Sequence, residues 1–285
     1  MLSVVGAAII GLTLGLFGSG GSILTVPVLV YLLDRPSKIA VAESLAIVGM
    51  ISLIVSVVQQ LRGQIAWRYV VNFGLPAMPS AWLGAWLSQF VSDSGQLLTF
   101  AALVLSAAGL MFRINPEASA DSPQAEQPVR TGMQPWVILQ GVIVGIITGF
   151  VGVGGGFLIV PALTIFCKLP TRTAMGTSLV IIVLNSVVGL YKHLDNLREM
   201  NQNMDWQIVF LFAGVGLAGS FVGERINRWL DAKRLRQGFG VFLILIGLFV
   251  MVQEVPKLLG TTTESSLDNP IPIKTNLSQF RQLFS

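Results

Sequence analysis

Residues 15–29 read GLFGSGGSILTVPVL, and residues 149–163 read GFVGVGGGFLIVPAL. The two stretches stand 134 residues apart. That offset places Gly18 on Gly152, Gly20 on Gly154, Gly21 on Gly155 and Pro27 on Pro161. It holds without a gap through Pro36 and Pro170, Ala40 and Ala174, Ser44 and Ser178, and Leu45 and Leu179. An ungapped match through two apolar segments and a turn marks an internal duplication. Further along the match loosens. Trp67 and Trp206 each precede a long apolar segment, with about five residues inserted before the second. Gly84 and Gly223 then fall at equal distances from those tryptophans.

Outward from this motif the chain is apolar. Of its 285 residues 53% are hydrophobic and 11% charged, against about 25% charged in a typical soluble domain. Residues 41–58 and 237–253 carry no acid or base after Glu43, and such runs approach the ~20 residues that a membrane-spanning helix needs. The expected segments are 2–17, 22–33, 41–60, 68–90 and 96–113, then 135–151, 156–167, 174–191, 206–227 and 235–253. Continuous rather than alternating apolarity excludes a β-barrel, so these segments are helices. The N-terminal segment resembles a signal-peptide core, but it lacks a basic start and a cleavage site, and the duplication assigns it to the mature fold.

The expected fold is therefore an all-α integral membrane protein of two homologous repeats, each with a glycine-broken helix and a short half-helix. Residues 1–113 form the first repeat and 135–254 the second. Residues 114–134, NPEASADSPQAEQPVRTGMQP, are a polar linker, and 255–285 a polar tail.

Segments 22–33 and 156–167 are 12 residues each. At about 1.5 Å per residue they reach roughly 18 Å, short of a ~30 Å hydrocarbon core. Either each completes a broken crossing, which gives parallel repeats, or each returns to the side it came from, which gives inverted repeats. With inverted repeats eleven Lys and Arg near span ends fall on one side and five on the other; with parallel repeats the split is nine to seven. Because cytoplasmic loops concentrate Lys and Arg, inverted repeats are favoured. The linker is then cytoplasmic and both termini lie outside.

Each break joins glycines to the start of a short helix. Glycine allows positive φ and close approach of backbone to a ligand. The first N–H groups of the short helix and its dipole make the break positive without a buried Lys or Arg. Gly18, Gly20, Gly21 and Ser22 in the first copy, and Gly152, Gly154, Gly155 and Gly156 in the second, are the candidate anion ligands. Pro27 and Pro161 free a carbonyl one turn earlier, tolerable at membrane depth only where backbone lines a cavity or is buried in protein. Ser44, Thr177, Ser178 and Asn185 are candidates for a polar lining, or for interhelical hydrogen bonds. Glu43 aligns with Thr177, so its charge is not shared. It either favours a helix N-terminus or titrates as a coupling proton site. His193, in KHLDN, is expected in a solvated loop, and Cys167 is expected to be inert. Trp67, Trp82, Trp86, Trp136, Trp206 and Trp229 suit an aromatic belt at the membrane interfaces.

The duplicated glycine motif, with AVAESLAIV at 40–48 and AMGTSLVII at 174–182, resembles the TauE/SafE family, the sulfite exporter or TSUP membrane transporters. The likeness covers about residues 2–253. It implies an anion transporter of a bacterial inner membrane, handling sulfite or an organosulfonate. Ser22, where the second copy has glycine, and Glu43 depart from the shared pattern.

Other classes fit poorly. A membrane enzyme needs a nucleophile with a base, or a metal set, and the chain has one Cys and one His. A non-transporting assembly subunit gains nothing from broken helices. No cofactor is implied, and the net charge of +4 reflects loop cations rather than nucleic-acid binding. The expected partners are a small anion, the lipid bilayer and a coupling proton or sodium ion. No GxxxxGK[ST] motif is present, so the chain itself shows no ATP-driven step. The substrate, the direction of transport and the oligomeric state are not fixed by the sequence.

Overall fold

The computed structural model is all-helical and describes residues 2–17, 22–113, 135–152, 155–167, 169–227, 229 and 232–264. Gly18, Gly20, Gly21 and Gly154, the 114–134 linker and the tail beyond 264 lie outside the described residues. The helices are α1 (Leu2–Phe17), α2 (Thr25–Leu32), α3 (Ser37–Leu61), α4 (Trp67–Tyr69), α5 (Leu75–Leu87) and α6 (Asp93–Arg113). They continue as α7 (Pro135–Val151), α8 (Gly156–Pro161), α9 (Thr171–Glu199), α10 (Trp206–Asn227) and α11 (Ala232–Glu264). Wide π-type turns, Val70–Gly74 and Ala162–Phe166, join α4 to α5 and extend α8. Four helices among the described residues are long and apolar enough to cross a membrane: Ser37–Leu61, Arg172–Glu199, Trp206–Ile226 and Gln237–Pro256.

Local chemistry sets the boundaries. Pro36 and Pro170 stand just before α3 and α9 with nearly the same backbone, φ −53° ψ 136° and φ −55° ψ 138°. Proline fixes φ, and its extended ψ turns the chain into the new helix. Ala40 and Ala174 N–H then donate to the Pro36 and Pro170 carbonyls, each at 2.9 Å. The α3 helix stops at Gly63, whose φ of +68° suits a left-handed cap.

The α9 helix runs past its expected end at 191 to Glu199. Residues 192–199 contain no Gly or Pro, Lys192 pairs with Asp195 at 2.7 Å, and Leu197 is buried. His193 is therefore buried within a helix, not in the solvated loop expected for it. The α11 helix likewise runs beyond 253 to Glu264, with Pro256 inside it.

The bundle is held by close helix pairs: α1 on α10, α5 on α7, α6 on α11 and α3 on α9. Small residues let two of these pairs approach to backbone contact. A Cβ on Gly11 would collide with the backbone of Gly216, and one on Gly15 with that of Ser220. On α7, Gly141, Gly145 and Gly149 sit in the same way against Phe73, Ala77 and Ala81. Lipid offers no hydrophobic drive for helix association, so such contact supplies dispersion attraction instead. The α3 and α9 helices run antiparallel. Gln64, just past α3, abuts Gly176 early in α9, whereas Asp205, beyond α9, donates to Glu43 early in α3.

The perimeter is apolar. Ile9, Leu53, Phe210, Val222, Leu245 and Val252 are among many large apolar side chains left exposed, as a lipid-facing surface requires. All six tryptophans are exposed as well.

Gly84 meets the Ile146 carbonyl and the Phe150 N–H, whereas nothing lies within 4 Å of a Cβ at Gly214. Gly84→Leu is expected to cost about 3 kcal/mol, the upper end for overpacking, because a backbone carbonyl cannot rotate away. Gly214→Leu is expected to leave stability unchanged or raise it, since leucine is the better helix former. Melting temperatures of the two variants in detergent test this pair.

Candidate functional site

The second glycine break lies where α7 ends and α8 begins. Gly152 and Gly155 have φ of +73° and +78°, in the left-handed region that glycine enters without strain. Both are buried. Space excludes a side chain as well: a Cβ on Gly152 would collide with Val41 of α3, and one on Gly155 with Thr148 of α7. Beyond them α8 starts at Gly156, and the N–H groups of Leu158 and Ile159 both donate to the Gly155 carbonyl at 3.0 Å.

A helix that stops inside a membrane leaves its last carbonyls without partners. Here three side chains from three helices supply them. The Ser44 hydroxyl of α3 donates to the Gly152 carbonyl. Gln96 Nε2 of α6 donates to the Phe150 carbonyl at 2.7 Å. His193 Nε2 of α9 pairs with the Gly149 carbonyl at 3.1 Å, and because a carbonyl only accepts, that nitrogen carries the proton. Three carbonyls at the negative end of α7 are thus met by donors, and the break leads on to the N-terminus of α8.

Of the residues singled out in the sequence, Gly152, Gly155, Gly156 and Ser44 come together here. Thr177 and Glu43 lie at the two ends of the α3–α9 pair. The Thr177 hydroxyl accepts the Ala66 N–H at 2.9 Å, one residue before α4. Glu43 Oε1 accepts the Asp205 N–H at 3.0 Å, one residue before α10. Each thus holds the start of a helix that begins with tryptophan. Glu43 is fully buried and also paired with Arg35. The hydrogen bond to Glu43 outweighs partial burial and raises Arg35 further above its ordinary pKa.

Ser22 is buried in the 3₁₀ turn, residues 22–24, that leads into α2. Pro27 and Pro161 are buried within their short helices. The Ser178 hydroxyl donates to the Met175 carbonyl of its own helix at 2.8 Å. Asn185 is 2% exposed, at the middle of α9, and neither of its amide atoms has a hydrogen-bond partner. Ser52 on α3 and Ser186 on α9 are buried with unpartnered hydroxyls. Each such group costs about 1–3 kcal/mol when left unsatisfied, a cost that a polar ligand or water in the bundle would remove.

Sequence reasoning missed Gln96 and His193. Their place against the α7 carbonyls depends on long-range packing that no local pattern announces.

Long apolar helices packed around a buried, glycine-lined backbone break define a multi-pass helical membrane protein. The chain belongs to the sulfite exporter TauE/SafE family of membrane transporters, whose model matches residues 3–250. It is 30% identical to a "Probable membrane transporter protein" of Xylella fastidiosa over 258 residues, covering 88% of this chain and 94% of the relative. A similarly named protein of Methanocaldococcus jannaschii is 28% identical, with 88% and 95% covered. One from Bacillus subtilis is 25% identical, with 86% and 96% covered. No solved structure matches the chain.

Glu43→Ala leaves Arg35 without its partner and the Asp205 N–H without an acceptor. Arg35 can still reach water, so the expected loss is about 2–3 kcal/mol, below the ~3–5 of a wholly buried pair. Glu43→Thr, which copies the Thr177 arrangement, is expected to recover part of the loss. Thermal melts of the two variants in detergent check the order.

Proposed function

We propose that this chain is a secondary transporter of a small anion, sulfite or an organosulfonate, bound near the bilayer midplane at two glycine breaks related by an inverted repeat. The observation that carries this reading is the polarity of the second break. Its carbonyl end is taken up by Ser44, Gln96 and His193, and its other end is a helix N-terminus that favours negative charge. Sulfite follows from membership of the sulfite exporter TauE/SafE family, and sulfonate from the resemblance carried by the glycine motif.

Inverted repeats are supported by pairings that exchange under the sequence offsets. Moving each residue to its counterpart turns Gly11 on Gly216 into Gly145 on Ala77, and Gly15 on Ser220 into Gly149 on Ala81; all four contacts are present. The α3 helix packs on α9, its own counterpart, and the two run antiparallel. Counterpart helices with opposite directions are what an inverted repeat requires, and such repeats place substrate at their interface. On this reading the chain sits in a bacterial inner membrane, with the 114–134 linker in the cytoplasm. A proton or sodium gradient, or the substrate's own gradient, drives the flux. For proton coupling Glu43 is the group that would titrate, and it must then leave Arg35 in each cycle.

Proteoliposomes loaded with sulfite or a small sulfonate test the assignment. Wild-type protein is expected to carry flux, and a folded Gly20→Leu plus Gly154→Leu double variant to carry none. Equal flux in both returns the glycines to packing. No flux of sulfite, sulfonate or sulfate under proton and sodium gradients removes the substrate assignment.

A further inference from the structure

A cavity of ≈370 Å³ opens between α1, α3, α9 and α10, well apart in sequence from the second break. Its polar lining is Gln59, Arg62, Gln64, Arg172, Ser220 and Glu224. Arg62 is paired with Glu224. Arg172 has no ion-pair partner among the described residues. Gln59 Oε1 is buried without a hydrogen-bond partner. An amide oxygen and nitrogen can exchange places by a flip, so Gln59 can turn a donor into the cavity. The lining therefore offers two guanidinium groups against one carboxylate, with amide and hydroxyl donors beside them. At about 30 Å³ per water the space admits a small oxyanion with part of its hydration shell. Gly15, in the last turn of α1, forms part of the wall, and the first glycine break begins three residues later at Gly18.

The opposite end of the bundle carries different side chains at the equivalent positions. The 134-residue offset takes Arg172 to Lys38, Arg62 to Asn196 and Gln59 to His193. Those three side chains are turned onto main-chain carbonyls. Lys38 Nζ donates to Ser88 and Val91 at 3.2 and 3.3 Å, Asn196 to Ala85 at 3.2 Å, and His193 to Gly149 at 3.1 Å. At that end the counterparts of Arg172, Arg62 and Gln59 are thus taken up by main-chain carbonyls.

We propose that the cavity is a second anion site, distinct from the glycine breaks. A hydrated oxyanion of the sulfate or sulfonate type docks there on Arg172 and Arg62 before reaching the first break. Guanidinium groups suit this ligand, because their planar donors match tetrahedral oxyanions in pairs. Arrival of the anion competes with Glu224 for Arg62. The proposal rests on the anion-transport reading, but the cavity is read here by a measurement that needs no flux.

A single cysteine at Met175, which lines the cavity, is introduced with Cys167→Ala and labelled in detergent with a membrane-impermeant maleimide. Sulfate and methanesulfonate serve as probes because neither adds to maleimide as sulfite does. We expect Met175→Cys to label, both probes to slow labelling relative to chloride at equal ionic strength, and Arg172→Gln to raise the half-protecting concentration about tenfold. Val41→Cys, the counterpart at the opposite end and 1% exposed, is expected to stay unlabelled. A Met175→Cys that does not label, labelling indifferent to both anions, or protection unchanged by Arg172→Gln overturns the site. So does equal labelling at Val41. Protection without flux in proteoliposomes keeps the cavity site and removes the transported substrate; flux without protection does the reverse.

Discussion

Inside a bilayer no water reaches the backbone, so every carbonyl at a helix end must find a donor within the protein. That constraint organises the centre of this molecule. Ending α7 at Val151 leaves the carbonyls of Gly149, Phe150 and, one residue on, Gly152 to be met, and the chain answers with Ser44, Gln96 and His193 from three separate helices. Those three side chains fix how α3, α6 and α9 stand around the break. The left-handed glycines then allow the chain to restart as α8 in the space that remains. The break is therefore the point on which the surrounding helices are registered, not a defect in an otherwise regular bundle.

A second constraint comes from the absence of a hydrophobic drive between helices in lipid. The structure meets it with small residues spaced one helical turn apart. Gly141, Gly145 and Gly149 bring α7 onto Phe73, Ala77 and Ala81, and Gly11 and Gly15 bring α1 onto Gly216 and Ser220. Gly149 belongs to both devices: its missing side chain admits Ala81, and its carbonyl takes the His193 donor. Packing and break geometry are thereby coupled at one residue.

The helices were legible because apolar runs, prolines and glycines act locally. Pro36 and Pro170 set the starts of α3 and α9 at Ser37 and Thr171, a few residues ahead of the expected 41 and 174. The end of α9 was not legible, because KHLDN reads as polar loop while Leu197 and the packed face of His193 are decided by neighbours far away in sequence. At the break, Gly152 and Gly155 could be read from the repeated motif alone, and Ser44 from its match with Ser178. Glu43 and Thr177 could not be read correctly as a pair. Their shared task, accepting the N–H before a tryptophan-led helix, appears only when the partner loops are seen beside them. Arg62 and Arg172 read as span-end charges that set orientation. That they share a wall follows only from α3 and α9 being antiparallel.

The partnership of α1 with α10 bears on how the chain is made. Gly11 meets Gly216, 205 positions later (216 − 11). At ~5–20 residues per second of synthesis, α1 waits about 10–40 s for its partner. During that interval its glycine face lacks the partner it packs on in the finished bundle. The first half of the chain therefore cannot reach its final packing before the second half is inserted. Biogenesis, rather than the stability of the finished bundle, is the stage at which this small-residue face is most vulnerable to a wrong neighbour.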